Sequence, residues 1–332
     1  MKAIRIHRFG GPDVLQLEDV PVPVCGPDDV RVAVHATSVN PVDFKIREGV
    51  QRAVVWIRKP FTPGMDVSGV VLEVGAHVKS FSVGDEVFST PSHLRQGTCA
   101  EEVVIRASEV AKKPKNLTHE EAASLPLVLL TAWYCLVKSA QLKPGQTVLV
   151  QAGSGGVGSI AIQLARALGA GQVWATCSTR NVELVKSLGA TPIDYTKEDF
   201  RLIAKNCDVV LDSLGGDELW KAVQTVRRGG HVSCITPSFP TLVKQFGPYA
   251  ALPAFGLWAA WAMAWPLISR FVTVRFVTRF AHGDILQSLL PLIEEGKLKP
   301  VIDRVFPLEQ TADAHRYLET GRARGKVVIK VR

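Results

Sequence analysis

Thr147-Val148-Leu149-Val150-Gln151-Ala152-Gly153-Ser154-Gly155-Gly156-Val157-Gly158 reads as an apolar strand running into a glycine turn, and Ser159 to Ala170 continue as an apolar-faced helix closed by Gly169. Gly153, Gly155 and Gly158 have the G-x-G-x-x-G spacing. Glycine there permits a tight turn and brings a pyrophosphate against backbone N–H groups at a helix N-terminus, whose dipole favours an anion. The spacing alone is weak, and a glycine loop that binds nothing is the bland alternative. With a strand before it and a helix after it, the stretch predicts a dinucleotide site in a parallel α/β sheet.

The next strand, Gln172-Val173-Trp174-Ala175-Thr176-Cys177, ends in Ser178-Thr179-Arg180-Asn181. Sites for NAD usually place an Asp or Glu here to accept from the ribose 2′-hydroxyl. A carboxylate would repel a 2′-phosphate, whereas the Ser178 hydroxyl and the Arg180 guanidinium can donate to one. NADPH is therefore expected over NADH, the competing reading being that Arg180 is a solvated charge opening the next helix.

The 332 residues suffice for two domains, and with 47% hydrophobic and 21% charged residues the composition is that of a soluble globular protein. The net charge of +8 is scattered, without an aromatic-studded basic stripe, so nucleic acid is not an expected partner. An anionic cofactor or an anionic membrane surface accounts for the bias more economically. Six cysteines, Cys25, Cys99, Cys135, Cys177, Cys207 and Cys234, form no C-x-x-C pair and read as free thiols. They point to a reducing intracellular compartment, the cytoplasm by default, with a mitochondrial or membrane-peripheral location left open. Met1 leads directly into the strand Lys2-Ala3-Ile4-Arg5-Ile6, with no signal or transit peptide legible.

Residues 1–125 alternate short apolar runs such as Val30 to Ala36 and Gly69 to Gly75 with Pro- and Gly-rich turns, as expected of an antiparallel domain. Strands then alternate with helices, including Asp208-Val209-Val210-Leu211-Asp212 and His231-Val232-Ser233-Cys234-Ile235, which implies a doubly wound parallel sheet across 126–280. The segment 281–332 returns to the first style and ends on the strand Gly325 to Val331. The expectation is a nucleotide domain inserted between two parts of a catalytic domain.

With Ser38-Val39-Asn40-Pro41-Val42-Asp43-Phe44-Lys45, Pro63-Gly64-Met65-Asp66-Val67-Ser68-Gly69, Leu130-Thr131-Ala132-Trp133-Tyr134 and Gly321-Arg322-Ala323-Arg324-Gly325-Lys326 added to the glycine loop, the chain resembles the zinc-independent quinone oxidoreductases of the medium-chain dehydrogenase/reductase superfamily. It looks closest to the mitochondrial reticulon-interacting and chloroplast-envelope types. The resemblance covers nearly the whole chain. It implies an α/β protein with a GroES-like, mostly antiparallel β catalytic domain and a Rossmann nucleotide domain. Zinc-dependent relatives supply a Cys where this chain has Asn40 and a His-Glu pair where it has Met65-Asp66, so no metal is expected. Without a Lewis acid, oxidation of a simple alcohol loses its usual activation, whereas an electrophilic quinone or enone needs none.

Residue by residue, the resemblance implies that Ser154, Gly155, Gly156 and Val157 line the pyrophosphate and that Ser178, Arg180, Asn181 and Tyr195 surround the 2′-phosphate. Leu214, in Asp212-Ser213-Leu214-Gly215-Gly216, would lie beside the cofactor, and Arg322, Ala323 and Arg324 match a segment that returns to it. Tyr195 as a strand-end packing residue and Arg324 as a solvated charge are the structural alternatives. Asn40, Lys45 and Thr131 are the catalytic candidates: Asn40 near the nicotinamide and a substrate oxygen, Lys45 toward ribose or phosphate, Thr131 against the nicotinamide. Asp43 reads as the cap of a short helix. The expected activity is NADPH-dependent hydride transfer to a quinone or an α,β-unsaturated carbonyl. An enone or alkenal reductase without quinone activity, and a cofactor-binding, membrane-associated scaffold with weak turnover, are the alternatives.

One stretch stands apart. From Gln245 to Ser269 no charge interrupts the chain, and the core of this run, 248–268, carries Trp258, Trp261 and Trp265. Its length approaches that of a membrane span, although Pro253, Gly256 and Pro266 interrupt it. Three readings stand: a buried core or homodimer segment, peripheral contact with a membrane, or a span.

Overall fold

Period-two alternation carries the N-terminal part of the chain into strands. In the computed structural model, which describes residues 1–53, 57–92, 95–236, 239–247 and 249–332 apart from the side chains of Phe239, Pro240 and Lys244, the chain divides into two units. The first comprises Met1–Leu130, Phe280–Gly296 and Pro300–Arg332, and the second Thr131–Arg279 with Lys297–Lys299. The first boundary falls five residues beyond the expected 125/126, because the helix Pro126–Trp133 runs through it.

The first unit contains β1 (Lys2–Arg5), β2 (Gln16–Asp19), β3 (Asp29–Val39), β4 (Val67–Val74), β5 (Glu86–Ser89), β6 (Glu102–Arg106) and β7 (Val110–Lys112). The long strand β3 pairs antiparallel with both β4 and β6. Its inward valines, Val30, Val32 and Val34, meet Val67, Val71 and Ile105 in one cluster. Burial of these side chains, each contributing roughly 1.5–3 kcal/mol, fixes the register, since a one-residue slip would turn every one outward.

The second unit is a six-stranded sheet of β8 (Thr147–Val150), β9 (Gln172–Cys177), β10 (Thr191–Asp194), β11 (Cys207–Asp212), β12 (Val226–Cys234) and β13 (Thr273–Phe276). The order is β10-β9-β8-β11-β12-β13 and every pairing is parallel. The order therefore reverses between β8 and β11, which makes their carboxyl ends the switch-point crevice of a doubly wound sheet.

The chain then returns to the first unit with β14 (Ile302–Pro307) and β15 (Lys326–Lys330), parallel to each other. Strand β15 runs antiparallel to β3 with Val327 opposite Val39 and Val328 opposite Ser38. That register sets Lys326 beside Asn40.

Between β12 and β13 lies the twenty-residue helix Ala251–Arg270. Ala251, Ala262 and Pro266 are buried while Phe255 and Trp258 are half-buried, a stripe at helical spacing that packs on the sheet. The Trp258 ring sits 5.2 Å from Phe276, and Trp261 meets Trp220 at 4.7 Å. The other face is bare: Leu257 is 77% and Ile268 73% exposed. A buried core segment across 248–268 is therefore not what forms, because the sheet covers only one face of the helix. Pro248 lies outside the described residues.

Candidate active site

In the second unit, parallel pairing sends the ends of β8, β9, β10 and β11 to one edge of the sheet. Ser154, Gly155, Gly156 and Val157 follow β8 there, Ser178 to Asn181 follow β9, Tyr195 follows β10 and Leu214 follows β11. The glycine turn is tied down by its neighbours. Gly153 N–H donates to the Thr176 carbonyl at 2.8 Å, Ala152 N–H to the Thr176 hydroxyl at 3.0 Å, and Gln151 N–H to the Leu211 carbonyl at 3.0 Å. A Cβ on Gly158 would lie 2.2 Å from the Ala152 carbonyl oxygen, whereas one on Gly155 would meet nothing nearer than 3.3 Å. Gly158 thus serves close packing, and Gly155 keeps backbone open to a ligand as the N-cap of the helix Gly156–Ala167. Unpaired N–H groups of that first turn suit a pyrophosphate.

On the β11 side, Asp212 is fully buried and accepts from Leu214 and Gly215 N–H, each at 2.9 Å. Burial pushes its carboxyl above the ordinary range, and the Gly215 N–H pulls it back. These bonds fix the turn that presents Leu214, which is 48% exposed.

At the end of β9, Asn181 donates to the Ser178 hydroxyl at 3.1 Å, and its own buried carbonyl oxygen has no partner among the described residues. An unsatisfied buried acceptor at this edge fits a ribose hydroxyl. Arg180 is exposed, and the Tyr195 ring is 60% exposed while Tyr195 N–H holds the Cys177 carbonyl at 3.1 Å. Asp194, not singled out from the sequence, accepts from Thr179 at 2.5 Å and from Thr196 at 2.7 Å. The Thr179 and Thr196 hydroxyls hold its carboxyl below the usual range. It ties the Ser178–Asn181 turn to the neighbouring strand. Its sequence signal is the Asp-x-Thr at a strand end, which forms an Asx turn.

In the first unit, one of the catalytic candidates, Asn40, belongs to a buried ionic cluster. Asp66, fully buried, accepts from Ser38 at 2.6 Å, Asn40 Nδ2 at 2.8 Å, Leu127 N–H at 2.8 Å and Lys326 Nζ at 3.2 Å. Lys326 also donates to Asn40 Oδ1. Asn40 is 1% exposed, with its Oδ1 and one Nδ2 hydrogen engaged in the cluster. Asp43 accepts from Asn40 N–H at 2.7 Å, the helix-capping role expected of it. Lys45 is half-buried, and burial holds its ammonium below the ordinary lysine range. Thr131 is 7% exposed on the helix Pro126–Trp133, in the second unit. The buried side chains of Ile46, Phe61 and Met65 line a small, largely closed cavity in the first unit, with Asp43, Ser92 and Arg95 on its polar side. Arg322, Ala323 and Arg324 lie in the first unit, where Arg324 N–H donates to Asp303 at 3.1 Å.

The donor set decides the zinc question. An amide, a thioether and one carboxylate stand where a thiolate, an imidazole and a carboxylate are needed, and the carboxylate already holds a buried ammonium. A dication placed there would face Lys326. These residues do not fit zinc.

Residues 188–329 match the family model described as zinc-binding dehydrogenase, and residues 26–115 match the alcohol dehydrogenase GroES-like domain. The chain is 42% identical to the 2-methylene-furan-3-one reductase of Solanum lycopersicum, over 99% of this chain and 79% of that protein. It is 36% identical to the mitochondrial NAD(P)H oxidoreductase RTN4IP1 of Mus musculus, over 100% and 89%. Among solved structures it is similar to the Escherichia coli quinone oxidoreductase complexed with NADPH, with a TM-score of 0.83 at 26% identity over the whole of both chains. An antiparallel GroES-like unit, a doubly wound nucleotide unit and these relatives together settle the ancestry: the chain belongs to the medium-chain dehydrogenase/reductase superfamily.

Proposed function

We propose that this protein is an NADPH-dependent, zinc-independent reductase of quinones and α,β-unsaturated carbonyls. The buried Asn40–Asp66–Lys326 cluster carries the choice of acceptor. An ammonium fills the place of a Lewis acid, so the substrate must bring its own electrophilicity. NADPH supplies the hydride when bound. The backbone of Ser154, Gly155, Gly156 and Val157 holds the pyrophosphate, and Ser178, Arg180, Asn181 and Tyr195 take the 2′-phosphate and ribose. Leu214 packs beside the dinucleotide, Thr131 contacts the nicotinamide, Lys45 serves a ribose or phosphate oxygen, and Arg322, Ala323 and Arg324 close on the cofactor. Asn40 sets the turn through its cap with Asp43. The product takes its proton from water.

The 42% identity to a reductase whose substrate name describes an exocyclic enone supports the enone arm. NADPH oxidation followed against a panel of quinones and enones tests the proposal. Turnover of either class should exceed oxidation of simple primary alcohols by orders of magnitude, and the reverse ranking would overturn it. The six unpaired thiols support work in a reducing compartment, cytoplasmic or organellar. The bare face of Ala251–Arg270 supports a covered helix in the working protein, by a second copy or by a membrane.

A further inference from the structure

We infer that the outer face of the helix Ala251–Arg270 is a docking surface for an anionic lipid bilayer, on which the protein lies peripherally. The inference rests on the reading that this face is covered, and it is independent of the reductase activity. A helix apolar all round is normally buried. Here the residues from Ala251 to Ile268 include no charge, yet only 17% of the most apolar window is buried. Leu257, Trp261, Trp265, Leu267 and Ile268 are each at least half exposed. The opposite stripe packs through Trp258 on Phe276, and Trp261 at the margin of the outer face leans on Trp220; these contacts anchor the helix to its domain and lay it flat rather than across a membrane. The domain takes the part that a polar face plays in an interfacial helix.

Charge selects the occupant. From Leu219 to Arg279 the sequence has no Asp or Glu, and it carries Lys221, Arg227, Arg228, Lys244, Arg270, Arg275 and Arg279. Lys221 and Arg227 are paired with Glu218 and Asp208. Arg228 and Arg270 are exposed and make no ion pair among the described residues, whereas Arg275 alternates with Phe276 onto the His231 side of the sheet. Arg228 lies 4.4 Å over the ring of Phe271, and Arg270 ends the helix, so these two cations flank the C-terminal rim of the apolar face. A two-fold contact through this face would offer the rim no acidic partner from the segment 219–279, which has no Asp or Glu. Anionic headgroups complement it, and tryptophan favours the same interfacial depth.

Flotation of the full-length protein with vesicles tests the inference, using phosphatidylcholine alone or mixed with phosphatidylglycerol. Binding should require phosphatidylglycerol and weaken as salt rises. The double variant Arg228→Gln, Arg270→Gln should bind at least about tenfold more weakly. Leu257→Glu with Ile268→Glu changes two outward side chains and should abolish binding while NADPH titration and thermal midpoint stay unchanged. No flotation at low salt, equal binding to neutral vesicles, or salt-resistant binding would each overturn the inference. So would a wild-type dimer that the Leu257→Glu, Ile268→Glu pair converts to monomer, because the cover would then be a second copy.

Discussion

Lys326 shows how much one side chain can settle. Its ammonium neutralises a carboxylate that is wholly buried, and breaking a buried pair by removing one partner typically destabilises by about 3–5 kcal/mol. Lys326→Met should therefore destabilise the protein by that order in urea unfolding. Adding Asp66→Asn should recover a good part of the loss, because no buried charge is then left unpaired. If the double variant is no more stable than the single, the two residues are not coupled. Arg180 makes the complementary case at an exposed position, where its role is selectivity rather than stability. Arg180→Ala should weaken NADPH by about tenfold, roughly 1.4 kcal/mol, and leave NADH nearly unchanged. Titrating both cofactors into wild type and variant checks this, and equal losses for the two would remove Arg180 from the 2′-phosphate site.

At the scale of elements, two glycines in helices should respond oppositely to the same methyl group. Gly158 has the Ala152 carbonyl oxygen 2.2 Å from a would-be Cβ, while Gly256 has nothing within 4 Å. Gly158→Ala should disrupt the turn and lose the cofactor. Gly256→Ala should raise stability by about 0.5–1 kcal/mol in urea unfolding, since it only removes backbone freedom from a helix interior. A destabilised Gly256→Ala would mean that the outer face is already covered in solution. The glycine turn was legible in the sequence because its chemistry is local: strand, turn and helix occupy one short run. The Asn40–Asp66–Lys326 cluster was not, because it depends on the register of β15 against β3 and joins residues 286 apart. Lys326 opening the apolar run Val327-Val328-Ile329 was its one signal. The helix Ala251–Arg270 was legible as apolar but not as exposed, since periodicity states what a face is made of and not what covers it.

Across the whole molecule, each unit carries a histidine held neutral. His315, on the helix Thr311–Glu319 of the first unit, is fully buried against Arg47, whose Nη1 donates to its Nδ1 at 3.2 Å. Burial, then the Arg47 charge, pushes the ring down to about 3. His231, on β12 of the second unit, lies 2.9 Å from the Ser139 hydroxyl and is pushed down to about 4 by burial and then by Arg275. Both folded values lie below the ordinary 6.5, so between these limits the unfolded chain binds more protons than the folded one. The stabilisation is complete above pH 6.5 and is lost as the pH falls. Each ring contributes a slope approaching about 1.4 kcal/mol per pH unit. Stability measured in urea should thus be flat from pH 8 to 7 and fall steadily toward pH 4. His231→Gln, which keeps a partner for Ser139 and cannot titrate, should remove one ring's share of the slope without altering stability above neutrality by more than about 1 kcal/mol. A wild-type curve that stays level through this window would show that both rings titrate freely in the folded protein, and that neither is sealed in the way their burial requires.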